Sequence, residues 1–171
     1  TLIVSLGGFI FGFDASVISG AIGFIDVEFG LNDWQQGFVV SSPTLGALIA
    51  MLFAGAVSDA IGRRKALIIV ASLYLISSIC SALAPSYALL VLARFIGGVA
   101  FCSLIIAPVY ISEISAPENR GKMVSVNQLN IVFGFALSYF SNYYFLQLSA
   151  SELSWVKELS IDTQTWRYML G

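Results

Sequence analysis

The fold of this chain is decided by residues 94–121, RFIGGVAFCSLIIAPVYISEISAPENRG. The stretch begins with Arg94 and then runs for eighteen residues, 95–112, without a charged side chain. A helix of that length is about long enough to cross the ~30 Å hydrocarbon core of a bilayer. Charged and turn-forming residues then follow closely: Glu113, Pro117, Glu118 and Arg120. The pattern predicts a membrane-spanning helix with an arginine at one end and a polar loop at the other.

The composition also indicates a membrane protein. Of the 171 residues, 58% are hydrophobic and 11% are charged, whereas a soluble domain usually carries about 25% charged residues. The chain has no histidine, a net charge of only −2 and no basic run, so nucleic-acid binding is not expected. Cys80 and Cys102 lie inside apolar runs, where we expect packing and not a disulfide or a metal site. No nucleophile–base pair is visible, so neither an enzyme nor a cofactor is expected.

Further apolar runs predict an all-α bundle of five membrane-spanning helices. The predicted spans cover about residues 2–24, 36–57, 66–84, 89–112 and 123–145, and residues 166–171 look like the start of a sixth. Strands of a membrane barrel are only about 9–11 residues long, so a barrel is not expected. The chain begins without a methionine and stops at the sixth span. We therefore expect it to be a fragment.

The lysines and arginines predict the orientation, because short positively charged loops usually lie in the cytoplasm. Two connections carry them, with Arg63, Arg64 and Lys65 in one and Arg120 and Lys122 in the other. Aromatic residues are expected at the opposite, outer interface: Trp34, Tyr87, Tyr143, Tyr144, Trp155, Trp166 and Tyr168. These features predict a multi-pass protein of the plasma (inner) membrane with a cytoplasmic N-terminus.

Asp14 is the clearest candidate for a functional residue, because it lies about ten residues from either end of span one. An ionisable group inside the membrane is costly and usually functional. Arg94 is the expected partner. Spans one and four run in opposite directions, and both residues lie on the outer side of the membrane midplane. Burial favours the protonated carboxyl, whereas a nearby arginine favours the carboxylate. Two interpretations stay open: a static ion pair between helices, and a proton site whose pairing changes during transport.

Span five carries three amide side chains near its start: Asn127, Gln128 and Asn130. Amides both donate and accept hydrogen bonds, which suits neutral sugars and polyols. The three cannot all face one partner helix, so at least one is expected to face a cavity. The alternative is hydrogen bonding between helices, worth ~0.6–2 kcal/mol per contact.

Local patterns predict how the helices pack and connect. Small residues at every fourth position of span two predict the close approach of another helix, for packing or sliding: Ser42, Gly46, Ala50, Ala54 and Ser58. Pro108 permits a kink in span four. A capping box at 149–152 predicts a short surface helix over 153–159, with a solvated linker as the alternative.

Residues 94–121 resemble the fourth membrane helix and following loop of the sugar porter family, within the major facilitator superfamily. Residues 7–21, 59–64, span five and the closing WRYMLG resemble other segments of that family, in the same order. The resemblance implies twelve helices in two six-helix halves, with the substrate bound near the midplane between them. This chain would be most of the N-terminal half. Its partners would be the C-terminal half, the lipid bilayer, a proton, and a sugar or polyol.

The resemblance also implies roles for individual residues. An aspartate at the position of Asp14 goes with proton-coupled sugar symport in that family, and Arg94 would modulate it. Gln128 matches a glutamine that hydrogen-bonds sugar hydroxyls, and Phe11 matches an aromatic residue lining the same cavity. Asn130, on the same helix as Gln128, is the third candidate substrate ligand.

A cytoplasmic network is implied in the same way. The segment 59–64 resembles the family's D-R-x-G-R-R loop, with Ala60 in place of the first arginine. Glu113 and Arg120 match a glutamate and an arginine that join this loop in a network stabilising the outward-facing state. The predicted gate residues are Asp59, Gly62, Arg63, Arg64, Glu113 and Arg120.

These features predict a secondary active transporter that couples a monosaccharide or polyol to a proton by alternating access. One alternative is a facilitative uniporter, in which the pair of Asp14 and Arg94 is structural. Another is a sugar sensor that does not transport.

Overall fold

The computed structural model describes residues 2–149 and 161–170, which are helical apart from short connections. The α-helices are α1 (Leu2–Phe29), α2 (Asp33–Ile61), α3 (Arg63–Ala82), α4 (Tyr87–Ala100), α5 (Ser103–Ile114), α6 (Arg120–Ser149) and α7 (Ile161–Leu170), with a 3-10 turn at Pro117–Asn119. The predicted all-α architecture is confirmed. The predicted surface helix over 153–159 lies outside the described residues.

Five segments of the described chain are long and apolar enough to cross a membrane: Val4–Phe29, Asp33–Ile61, Arg63–Ala82, Tyr87–Ile114 and Pro117–Leu148. Several of these helices run past the ends of the predicted spans. The helix α1, for example, continues through Asp26 and Glu28. Hydropathy marks the end of the apolar stretch, whereas the backbone hydrogen bonds of a helix continue into its polar flank.

The predicted fourth span is not one continuous helix. A tight turn at Phe101 and Cys102 separates α4 from α5, and there the N–H of Phe101 donates to the carbonyl of Gly98 at 3.0 Å. Such bonds to the third preceding residue belong to the narrower 3-10 geometry. Pro108, where the sequence permits a kink, lies inside α5, about two turns after this break.

Glycines allow two helix pairs to pack backbone to backbone. Between α1 and α6, a Cβ at Gly12 would overlap the carbonyl oxygen of Ile131, and one at Gly134 would overlap that of Phe9. Between α2 and α4, a Cβ at Gly46 would overlap the carbonyl oxygen of Phe95. The small-residue stripe of span two therefore brings its helix against α4, as the sequence predicts.

Trp166, one of the aromatic residues predicted at the outer interface, packs inside the described bundle. Its side chain is fully buried, and its indole N–H donates to the carboxylate of Glu28. Arg167 pairs with the same carboxylate at 3.2 Å, and its guanidinium lies 4.7 Å from the centre of the Trp166 ring. These contacts fasten α7 to α1. Trp34, in contrast, is almost fully exposed.

Adding one methyl group tests the contact between α1 and α6. In the full-length protein, Gly12→Ala should lower stability by about 1–3 kcal/mol, because the new Cβ overlaps the backbone at Ile131. Gly23→Ala on the same helix is the matched control, since a Cβ there meets nothing within 4 Å. The measurement is the thermal unfolding midpoint in detergent. Equal midpoints for the two variants would contradict this packing.

Candidate functional site

The centre of the candidate site is an ion pair between α1 and α4. Nη1 of Arg94 donates to Oδ1 of Asp14 at 2.7 Å. The arginine side chain is 2% exposed and the aspartate side chain 20% exposed. The structure thus brings together the two ionisable groups that the sequence places inside spans one and four.

The pair does not use all of its hydrogen-bonding capacity. Oδ2 of Asp14 and the Nε and Nη2 atoms of Arg94 are buried and have no hydrogen-bond partner among the described residues. A buried polar atom without a partner costs about 1–3 kcal/mol, and more when it is charged. One oxygen of the Asp14 carboxylate is therefore free to bind a proton or to accept a hydrogen bond from another donor.

Next to this carboxylate, Gly97 leaves room for the side chain of Ser77. A Cβ at Gly97 of α4 would lie 3.7 Å from Oδ2 of Asp14 and 2.5 Å from the hydroxyl oxygen of Ser77. Ser77 in turn donates to the carbonyl of Ala93 at 2.8 Å, which joins α3 to α4. A larger side chain at position 97 would overlap the side chain of Ser77.

Aromatic rings pack beside the ion pair. Phe11, one turn before Asp14, packs edge-on against Phe101 with ring centroids 4.7 Å apart, and Phe135 lies 6.3 Å from Phe11. Tyr74 lies 6.2 Å from Phe101. Phe101 and Tyr74 were missed by the sequence reasoning, because only the break between α4 and α5 and the position of α3 bring them here.

The three amides of α6 have different surroundings. Asn127 is buried beside Gly8 of α1, and Nδ2 of Asn130 donates to the hydroxyl of Ser5 at 2.8 Å. Gln128 is exposed. Of the two amides predicted to bind substrate, Gln128 is therefore accessible, whereas Asn130 is engaged with α1.

At the other end of the bundle, Arg63 links three helices. It donates to the carboxylate of Asp59 of α2 and, through Nη2 at 3.3 Å, to the carboxylate of Glu113 of α5. Gly62, between α2 and α3, has φ +87°, a conformation that favours glycine. Of the six predicted gate residues, these four come together.

The remaining two predicted gate residues lie apart from this cluster. Nε of Arg120 donates to the backbone carbonyl of Ser115 at 3.4 Å, within its own loop. Arg64 is exposed and makes no ion pair in the described part of the chain. The sequence pattern places both near the loop but does not specify which way each side chain turns.

The chain is similar to known membrane transporters. The family model described as "Sugar (and other) transporter" matches residues 1–171. The arabinose-proton symporter of Bacillus subtilis is 37% identical over 167 residues, 97% of this chain and 34% of that protein. The D-xylose transporter of Levilactobacillus brevis is 36% identical over 168 residues, 98% of this chain and 34% of that protein.

A solved structure has the same helix arrangement. The xylose transporter XylE from E. coli, in a partially occluded inward open conformation, matches with a TM-score of 0.85 and 32% identity. The match covers 99% of this chain and 43% of that one. This chain thus spans about a third of the length of the curated relatives it matches. The five apolar helices and these matches make it an integral membrane protein with the major-facilitator arrangement of helices.

Removing one member of the ion pair should be costly. In the full-length protein, Asp14→Asn leaves a buried guanidinium without its counter-charge, so we expect a loss of about 3 kcal/mol in stability. The double variant with Arg94→Gln should recover part of that loss, because no charge is then left unpaired. Thermal unfolding midpoints in detergent check this. Strictly additive losses would show that the two side chains are not coupled.

Proposed function

Because this chain belongs to the sugar transporter family, we propose that the complete protein carries a monosaccharide or polyol across the membrane together with a proton. This is a family of transporters and not of enzymes. The observation that carries the proposal is the buried pair of Asp14 and Arg94, with one carboxylate oxygen unpaired. A proton entering down ~100 mV supplies ~2.3 kcal/mol. That supports roughly fifty-fold accumulation of a neutral sugar.

In the proposed cycle, a proton binds the unpaired Oδ2 of Asp14. The neutral acid attracts Arg94 far less than the carboxylate does, so the charge interaction that joins α1 to α4 weakens. Because these helices lie beside the aromatic cluster of Phe11 and Phe101, their separation changes the shape of the sugar site. Release of the proton from Asp14 on the other side of the membrane restores the carboxylate and its ion pair with Arg94.

The proposed sugar site lies where Gln128 and Phe11 approach the midplane. Gln128 supplies both a donor and an acceptor for hydroxyl groups, and the ring of Phe11 supplies an apolar surface. Asn130 reaches a sugar only by giving up its bond to Ser5. The remaining ligands would come from the C-terminal half of the transporter.

Unoccupied helix surfaces support a second half. A Cβ at Gly37 or Gly55 of α2 would meet nothing within 4 Å, although small residues at such positions usually admit another helix. On α6, Leu129, Phe133 and Phe140 are more than half exposed. We propose that the C-terminal half packs against these two helices.

The cluster of Asp59, Arg63 and Glu113 is the proposed cytoplasmic gate. It joins α2, α3 and α5 into one unit that can close the inner end while the site opens outward. The loops that carry Arg63 and Arg120 would then be cytoplasmic, as would the N-terminus, in the plasma (inner) membrane.

Facilitated diffusion is the second candidate. The ion pair favours it, because the two side chains are only 2.7 Å apart and Arg94 is 2% exposed. A pair that stays closed throughout the cycle would hold α1 and α4 together without binding a proton. Symport and facilitated diffusion differ in whether sugar flux moves protons.

Proton flux in proteoliposomes distinguishes the two. With D-xylose, L-arabinose, D-glucose or myo-inositol outside, the full-length protein should make the external medium more alkaline as sugar enters. Asp14→Asn should abolish this signal and retain exchange of labelled sugar, because the variant cannot release a proton. Asp26→Asn, on the same helix, is the control and should retain both. Undiminished proton flux in Asp14→Asn would contradict the assignment.

Sugar affinity tests the proposed ligand Gln128. Gln128→Ala removes a hydrogen bond worth ~0.5–1.5 kcal/mol, so the KM for uptake should rise roughly two- to twelvefold. Gln147→Ala is the control on the same helix, since Gln147 bonds the hydroxyl of Tyr143 at 3.0 Å near the outer end. An unchanged KM for Gln128→Ala would remove this residue from the sugar site.

A further inference from the structure

An apolar groove lies between α2 and α3, toward the end of the bundle where Gly62 joins them. Its volume is about 240 Å³. Phe53 and Val57 of α2 form one wall, and Ile69 and Leu73 of α3 form the other. The lining is almost entirely apolar, and Phe53, Val57 and Ile69 are about half exposed or more.

The groove follows from how α2, α3 and the broken fourth span meet. Its floor is formed by Val99, Cys102 and Ile106, which lie in or next to the turn between α4 and α5. The small side chains of Ala50 and Ala54 leave the space above that floor open. Cys102, a buried free thiol, therefore belongs to the apolar floor of the groove.

This groove lies on a different side of α2 from the surface proposed for the second half of the transporter. Phe53 and Val57 are each two residues from Gly55, which places them roughly 160° around the helix from it. A helix that packs at Gly55 therefore does not fill the groove. In the membrane, hydrocarbon chains are the available cover.

Positive charge lies at the end of the groove nearest Gly62. Lys65 is one turn before Ile69 on the same face of α3, and the neighbouring Arg64 is also exposed. Neither forms an ion pair in the described residues, since the nearby carboxylates of Asp59 and Glu113 are engaged by Arg63. Long basic side chains in this position reach the headgroup region.

We propose that the groove binds an acyl chain of an anionic phospholipid from the adjacent leaflet, with the headgroup phosphate against Lys65 and Arg64. An apolar slot that ends in uncompensated basic residues matches both parts of such a lipid. The occupied groove would support the break between α4 and α5 from the membrane side. Neither sugar nor proton takes part in this contact.

Photocrosslinking of lipid to the full-length protein in nanodiscs tests the proposal. Phosphatidylglycerol with a diazirine in the middle of its acyl chain should label peptides that contain Leu73, Val99 or Ile106. Ala50→Phe, which fills the groove, should reduce this labelling at least fivefold. Ala56→Phe is the matched control, because Ala56 is an exposed residue of α2 outside the groove.

The headgroup contact is tested separately, by variants that leave the apolar packing intact. Lys65→Gln combined with Arg64→Gln should reduce phosphatidylglycerol labelling at least threefold, whereas Lys122→Gln should not. Phosphatidylcholine with the same diazirine should label the groove weakly. Equal labelling by both lipids would overturn the headgroup assignment, and labelling unaffected by Ala50→Phe, or absent from these peptides, would overturn the groove itself.

Discussion

A guanidinium that is 2% exposed inside an apolar bundle must have a counter-charge close by, and much of this structure meets that requirement. The charge of Arg94 cannot be removed by deprotonation, so only a neighbouring acid can neutralise it. Asp14 provides that acid from the facing helix. Gly97 lets Ser77 of α3 pack against α4 beside the carboxylate, and the glycines of α1 and α2 let the surrounding helices approach closely enough to hold the pair.

The broken fourth span connects this pair to the opposite end of the bundle. Arg94 lies in α4 and meets α1, while Glu113 lies at the end of α5 and meets Arg63 of α3. Between them, the turn at Phe101 and Cys102 interrupts the regular backbone hydrogen bonds. In the proposed transport cycle, α4 moves when the ion pair weakens. The turn would either bend to absorb that movement or transmit it through α5 to the gate.

The fold was predictable from the sequence because membrane insertion imposes simple rules. Apolar length located the helices, and the cost of a charge in the membrane pointed from Arg94 to Asp14. The contact between Trp166 and Glu28 was not predicted, because the two residues are 138 positions apart in the chain. Residues of this kind take their position from tertiary neighbours, and hydropathy carries no information about those.

The amides and basic residues illustrate the same limit at the candidate site. Helical spacing indicates that Gln128 points away from Asn127 and Asn130, but not which side of α6 faces α1. The basic character of the loops predicts their side of the membrane, but not that Arg63 pairs with Glu113 while Arg120 bonds its own loop. The exact path of the loop determines which partner a side chain at a helix end can reach.

In the proposed cycle, the carboxyl group of Asp14 changes its protonation as the transporter works. Difference infrared spectroscopy on the full-length protein observes this directly, through the C=O stretch of a protonated carboxyl. If Asp14 is the proton site, a band should change when sugar is added at constant pH, and this band should be missing in Asp14→Asn. A spectrum in which Asp14 stays ionised with and without sugar, at every pH that supports transport, would contradict it.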